Sequence, residues 1–295
     1  MNFKFSNFKK SKPKRVVILG SSGIISINLQ EEMKKRSINT LTIGRSTINL
    51  KNHNARKLLN RKIKNGDTIV FIAAEAPVKN FKMLINNLKI CNNVCNSLQN
   101  KKIFHLVYIS SDAVYADIKE KITENSKTMP LSLHGLMHLT RESILRSKFN
   151  KILCILRPTL IYGMGDSHNG YGPNRFIKCV LKKKPIKIFG KGEERRDHIF
   201  VGDLIKIIGN CIEQRGLGIL NLASGKVFSF KYLAKLIINL SKTRSKLIRI
   251  KRQGPMPHNG YRPFNIKKLK NYFRDIKISP VKFGLIKYLE SASKQ

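Results

Sequence analysis

Apolar and polar positions along the chain fall into two alternating textures. Short apolar runs, Val16–Leu19, Thr40–Ile43, Thr68–Ala73, Phe104–Ile109 and Ile152–Leu156, have strand length and contain no Lys, Arg, Asp or Glu. Such runs suit strands buried on both faces. Between them lie amphipathic stretches, Ser26–Arg36, Phe81–Leu98 and Leu133–Phe149, with helical spacing. This alternation predicts an α/β fold: a doubly wound parallel sheet with helices on both sides. From about Gly163 onward Gly and Pro become frequent, and further helix–strand alternation follows. That change predicts a smaller C-terminal lobe, interleaved with the last elements of the core.

The first strand runs into Gly20-Ser21-Ser22-Gly23-Ile24-Ile25-Ser26, and a helix follows. Glycines let the chain turn tightly and bring backbone N–H groups up to a pyrophosphate. The spacing is GxxGxxS, with Ser26 small enough to stand where a third glycine packs helix against strand. Gly20, Ser22, Gly23, Ile24 and Ile25 are therefore expected against a dinucleotide. The second strand ends in Ile43-Gly44-Arg45, and Arg45 stands where an acidic residue would accept from the ribose of NAD. An arginine there pairs with the 2′-phosphate of NADP, so NADP is expected in preference to NAD. The expected organisation is a basic flexible tail over 1–14, a Rossmann-type dinucleotide core over 15–162, and a substrate lobe over 163–295.

Composition changes this picture little. The chain has 295 residues and a formal charge of +41, from 58 Lys+Arg against 17 Asp+Glu. The basic residues are spread along the whole length, and Ile and Asn are abundant too, the pattern of drift toward AT-rich codons. A nucleic-acid partner is not expected, although so positive a field favours anionic small molecules. No apolar run approaches the ~18 residues of a membrane span, and the basic N-terminus lacks the apolar segment of a secretory signal. A cytoplasmic protein is expected. The cysteines Cys91, Cys95, Cys154, Cys179 and Cys211 form no CxxC pair, so they are read as reduced, largely buried thiols.

Several further segments complete a pattern. They are Asp67-Thr-Ile-Val-Phe-Ile-Ala-Ala-Glu75, Tyr108-Ile-Ser-Ser-Asp-Ala-Val-Tyr115, Arg157-Pro-Thr-Leu-Ile-Tyr-Gly163, the run from Phe189 to Asp203, Asn221-Leu-Ala-Ser-Gly225, and Arg262. In this order the chain resembles the extended short-chain dehydrogenase/reductases, in particular the NAD(P)-dependent nucleotide-sugar epimerases and dehydratases. The resemblance implies that Ala73, Ala74 and Pro158 line the cofactor. It also implies a nucleoside diphosphate sugar as substrate, contacted by Ser111, Asp112, Asn174, Arg196 and Arg262, with Arg175 a further candidate. A homodimer through Phe81–Leu98 and Leu133–Phe149 follows by the same analogy.

The resemblance carries its chemistry only in part. Members hold a Ser/Thr, matched by Ser111, and a Tyr and Lys four residues apart on one helix. Here the aligned segment reads His134-Gly135-Leu136-Met137-His138. Residues four apart share a helical face, and a neutral imidazole accepts a proton near pH 7. His134 thus takes the place of the base and His138 that of the ribose-holding residue. Members that remove water carry a glutamate where Ala113 stands, which favours epimerisation or keto reduction over dehydration. The alternative is a non-catalytic member that keeps only nucleotide binding. HxxxH with His168 would also be a metal set, but Gly135 stands where HExxH has its glutamate, and no metal is expected. Tyr162, placed near the nicotinamide end by the resemblance, offers a substitute acid.

Overall fold

The computed structural model describes residues 1–7, 9–166 and 169–293. In chain order the strands are β1 (Lys4–Phe5), β2 (Val16–Leu19), β3 (Thr40–Ile43), β4 (Thr68–Phe71), β5 (His105–Ile109), β6 (Leu153–Pro158), β7 (Leu160–Tyr162), β8 (Ile186–Phe189), β9 (Arg195–Phe200), β10 (Gly216–Leu222), β11 (Val227–Ser229), β12 (Leu247–Ile250) and β13 (Tyr261–Arg262). The helices are α1 (Ile24–Lys35), α2 (Ala55–Lys62), α3 (Phe81–Leu98), α4 (Leu133–Phe149), α5 (Pro173–Leu181), α6 (Val201–Glu213), α7 (Phe230–Ser241), α8 (Lys267–Tyr272) and α9 (Val281–Ala292). No described helix is long and apolar enough to cross a membrane.

The chain divides into two units. The first comprises residues 1–116, 126–158 and 205–221; the second comprises 117–125, 159–204 and 222–295. The first unit holds a seven-stranded sheet in the order β1-β10-β6-β5-β4-β2-β3. β2 pairs in parallel with both β3 and β4, β4 with β5, and β5 with β6. The chain therefore leaves β2 toward one edge and returns to its other side at β4. Such a reversal opens a crevice at the carboxyl ends of the strands, where doubly wound sheets place their ligands. Residues of β2, β4, β5 and β6 are buried on both faces, as their uninterrupted apolar runs require. One side is covered by α2, α3 and α4, whose Leu59, Ile90, Val94 and Leu145 close the core against Val17, Phe71, Tyr108 and Ile155.

Two boundaries differ from those expected. The N-terminus is not a free tail: β1 pairs antiparallel with β10, and Phe3 is buried. The reason lies at Gly218, where a side chain would strike the Asn2 carbonyl. Second, the core sheet ends at Pro158, because β7 pairs in parallel with β9 in the second unit. That unit has its own core, in which Tyr162, Phe176, Ile188, Phe230, Leu233 and Leu285 are buried together. Around it lie the four-stranded sheet of β11, β9, β13 and β7 and the parallel pair β8–β12.

Candidate active site

The loop after β2 is built for close backbone approach. Gly20 has φ +113°, and a Cβ there would lie 3.0 Å from the Ala73 nitrogen. Ala73 itself donates to the Leu19 carbonyl at 2.7 Å, so the ends of β2 and β4 touch directly at the switch point. Gly23, at φ +97°, opens α1, whose first turn has no side-chain cap. Its free N–H groups and positive dipole end are those of an anion site. A side chain at Gly44 would collide with Ser21. Ser26 is fully buried and its hydroxyl donates to the Gly20 carbonyl, so it does pack helix against strand and ties the loop as well. Gly20 and Gly44 thus let the loop pack closely on Ala73 and Ser21, while the space beside Gly23 at the start of α1 is open, an arrangement compatible with a dinucleotide pyrophosphate at the helix N-terminus.

Arg45 is exposed in the turn after β3. Close by, Lys51 pairs with Glu75 at 2.5 Å. Burial pushes the Glu75 carboxyl up, but hydrogen bonds from Lys51 and Asn86 and the charges of Lys51 and Arg45 outweigh it and hold Glu75 below its ordinary value. The Ala73–Glu75 segment is further held from beneath by two residues that sequence reasoning passed over. Arg141 is fully buried and donates to the Ala73 carbonyl at 2.9 Å and to the Asn87 carbonyl at 2.7 Å. The Asn87 side chain in turn bonds both the N–H and the carbonyl of Glu75, each at 3.0 Å.

Ser111 caps a short turn over Asp112–Val114, accepting from the Ala113 N–H at 3.1 Å and donating to Asp112 at 3.4 Å. The first turn of α4 rests on this turn because residue 135 is glycine: a Cβ there would strike the Ala113 carbonyl. That contact sets His134 beside the Ser111 turn. Ser132 caps α4, accepting from the Gly135 N–H at 3.1 Å. His134 and His138 stack edge to face, with ring centroids 4.8 Å apart. His138 is buried, and its Nδ1 lies 2.8 Å from the Tyr108 hydroxyl. Burial, then the neighbouring His134 and Arg141, holds His138 well below the ordinary imidazole value, so it is neutral. The permanent positive charge on this stretch of α4 belongs to Arg141, three residues further on.

Behind the site, Glu142 accepts from Ser110 at 2.5 Å and from Arg157 Nε at 2.9 Å, and Arg157 reaches the Tyr115 hydroxyl at 2.8 Å. These buried bonds tie β5, α4 and β6 together. Pro158, the last residue of β6, is buried just beyond them.

Within the second unit, the candidate arginines Arg196 and Arg262 are already engaged. Arg196 approaches Glu194 at 3.3 Å, as does Arg252. Arg262 is buried and meets Asp117 at 2.7 Å; His258 lies 2.5 Å from the same carboxylate oxygen. The Asn174 amide bonds the Gly163 N–H and the Ile161 carbonyl, at 3.0 and 3.1 Å, and so shapes the loop before α5. Arg175 beside it is half-buried. Tyr162 corrects the expectation of a substitute acid. It is buried in the second core, its hydroxyl donates to the Val281 carbonyl at 3.4 Å, and burial raises its phenol well above the ordinary value. His168 lies outside the described residues.

Residues 16–223 match the NAD dependent epimerase/dehydratase family. The chain belongs to that family. Among curated proteins it is similar to an uncharacterized UDP-glucose epimerase, YtcB, of Bacillus subtilis (strain 168), 26% identical over 65% of this chain and 70% of the relative. Among solved structures it is similar to a UDP-glucose 4-epimerase of Thermotoga maritima with UDP-glucose, with TM-score 0.82 and 16% identity over 95% of this chain and 99% of that one. It is also similar to a UDP-glucose 4-epimerase of Thermus thermophilus in complex with NAD, with TM-score 0.80 and 17% identity over 94% and 98%. At these identities the structures establish the fold alone, and the family match is what places this chain among the nucleotide-sugar epimerases and dehydratases.

Proposed function

We propose that this chain is an NAD(P)-dependent epimerase or keto-reductase of nucleoside diphosphate sugars, with His134 as general base. The observation that carries the reading is the pair of imidazoles on α4, 4.8 Å apart, seated beside the Ser111 turn of a dinucleotide fold. The cradle of Gly20, Ser22, Gly23, Ile24 and Ile25 would hold the pyrophosphate, with Ala73, Ala74 and Pro158 along the cofactor. Arg45, exposed in the turn after β3, would meet a 2′-phosphate, which favours NADP over the NAD named for the Thermus relative. Bound there, the nicotinamide supplies a site that accepts or returns hydride.

The chain's own residues do the rest. His134 removes the proton from a sugar hydroxyl through a ring nitrogen, at a pH where an ordinary imidazole is largely neutral. Ser111, in the same turn as Asp112, orients that hydroxyl. His138, being neutral, offers the cofactor ribose a hydrogen bond without the charge of a lysine. Arg196 and Arg262 would release their carboxylate partners to take the diphosphate, whose dianion suits paired guanidiniums. Ala113 leaves no carboxylate to remove a ring proton, which keeps dehydration out of the proposal. A cytoplasmic homodimer fits this reading, since Phe81 on α3 and Leu133 and Leu136 on α4 expose apolar side chains.

The test is incubation with NADP or NAD and a panel of UDP-, GDP- and dTDP-sugars, with products resolved by chromatography and mass spectrometry. An epimer or a reduced sugar supports the proposal. Tight binding of both ligands with no conversion of any sugar replaces it with the binding-only reading.

A further inference from the structure

Tyr108 lies in the middle of an apolar strand, yet its hydroxyl meets one specific partner. It is buried on β5, 2.8 Å from Nδ1 of His138, with ring centroids 5.9 Å apart. Two buried neutral groups at this distance must divide the roles of donor and acceptor between them. Burial pushes the phenol of Tyr108 well up, so it keeps its proton. The guanidinium of Arg141 is engaged with the carbonyls of Ala73 and Asn87. Nδ1 of His138 is the one acceptor within hydrogen-bond reach of the hydroxyl among the described residues, so the phenol proton is satisfied only by facing it. An imidazole that is neutral and accepts at Nδ1 carries its one N–H on the other nitrogen.

We propose that Tyr108 is a positioning residue: its hydroxyl donates to Nδ1 of His138 and fixes that ring as the Nε2–H tautomer. The consequence rests on the function proposed above. Position 138 then presents a neutral N–H donor, held at one orientation, to the ribose diol of the dinucleotide. A ring free to exchange tautomers would offer an acceptor part of the time. The tyrosine thus completes, from the strand behind the helix, a site in which an imidazole stands where the resemblance calls for lysine. It acts through His138 and touches neither sugar nor nicotinamide in this assignment.

The test is long-range 1H–15N NMR of the imidazole nitrogens in the full chain, free of ligand. His138 is assigned among the seven histidines by the signal lost in His138→Gln. The wild type is expected to show a single Nε2–H tautomer with a hydrogen-bonded Nδ1 acceptor. In Tyr108→Phe the Nδ1 resonance should move to the position of an unbonded acceptor, and NAD(P) should bind roughly tenfold more weakly, the loss of about one hydrogen bond. An Nδ1–H tautomer in the wild type overturns the assignment, and that reading needs no variant to fold. So does a Tyr108→Phe spectrum unchanged from the wild type. Titration of the wild type with NADP and NAD separates the two levels. If neither binds, the role toward ribose falls together with the proposed function, while the tautomer assignment is judged by the nitrogen shifts alone.

Discussion

Replacing Glu142 by leucine should destabilise the first unit more than any single surface change. Glu142 and Arg157 meet at 2.5 Å with side chains only 1% and 3% exposed. Arg157 also donates to the Tyr115 hydroxyl, which donates to Asn221 at 2.7 Å, and Ser110 donates to the same carboxylate. Glu142→Leu leaves a guanidinium in the core with its carboxylate gone. Removing one partner of a buried pair costs about 3–5 kcal/mol, because an uncompensated charge remains. With a urea dependence of about 3 kcal/mol per molar, the midpoint should fall by roughly 1–1.7 M, read by far-UV circular dichroism. Glu142→Gln keeps the acceptor and should lose less. The double variant Glu142→Leu with Arg157→Met should recover most of the loss, since a well-packed apolar pair replaces a buried ion pair at little net cost. A midpoint shift below about 0.3 M for Glu142→Leu would show that no buried charge is stranded, as would a double variant no better than the single one.

Three further outcomes follow from the geometry. His105 is buried, its Nε2 lies 2.7 Å from the Gly216 carbonyl, and burial lowers its pKa from 6.5 to about 4, the Gly216 bond opposing and Arg215 adding to the shift. The unfolded chain therefore binds a proton that the folded chain refuses between these values. Unfolding free energy should rise on the order of 3 kcal/mol as pH increases from 4 to 6.5; His105→Gln should flatten that part of a stability–pH curve. Gly20→Ala places a Cβ at φ +113° against the Ala73 nitrogen. It should cost about 1–2 kcal/mol of stability and weaken NAD(P) binding at least tenfold by calorimetry. Arg45→Ala should weaken NADP roughly 10- to 150-fold while leaving NAD within a factor of two, a charge-assisted contact being worth about 1.5–3 kcal/mol; equal losses for both would remove Arg45 from the 2′-phosphate.

Much of the first unit was legible in the chain because buried parallel strands leave an unbroken apolar signature. Val16–Leu19 and Thr40–Ile43 form strands over those residues, and Phe81–Leu98 and Leu133–Phe149 form helices over theirs. β1 escaped notice because two residues, Lys4 and Phe5, carry no periodicity; the missing side chain of Gly218 makes room for the segment. The passage of 117–125 into the second unit leaves no trace in composition. At the candidate site, the glycine loop is read from its spacing and the two histidines from the family resemblance. Tyr108 is read from neither, because a tyrosine inside an apolar strand reads as packing until its partner is seen. Arg141 is one of 58 basic residues, and nothing in sequence separates the one buried beneath Ala73 from those in solvent. Gly135 was visible only as the residue that spoils HExxH, whereas its function is to let α4 rest on the Ser111 turn.

The proposed function stands or falls on an imidazole of α4 moving the proton that hydride transfer requires. That role is tested by the turnover number of His134→Ala against the wild type, on the nucleotide sugar that the panel identifies. NAD(P) affinity is measured on the same two preparations. The expected result is a fall of about 10²–10⁴ in kcat, the usual contribution of a positioned base, with cofactor affinity changed less than threefold. Turnover equal to the wild type in His134→Ala would contradict the role.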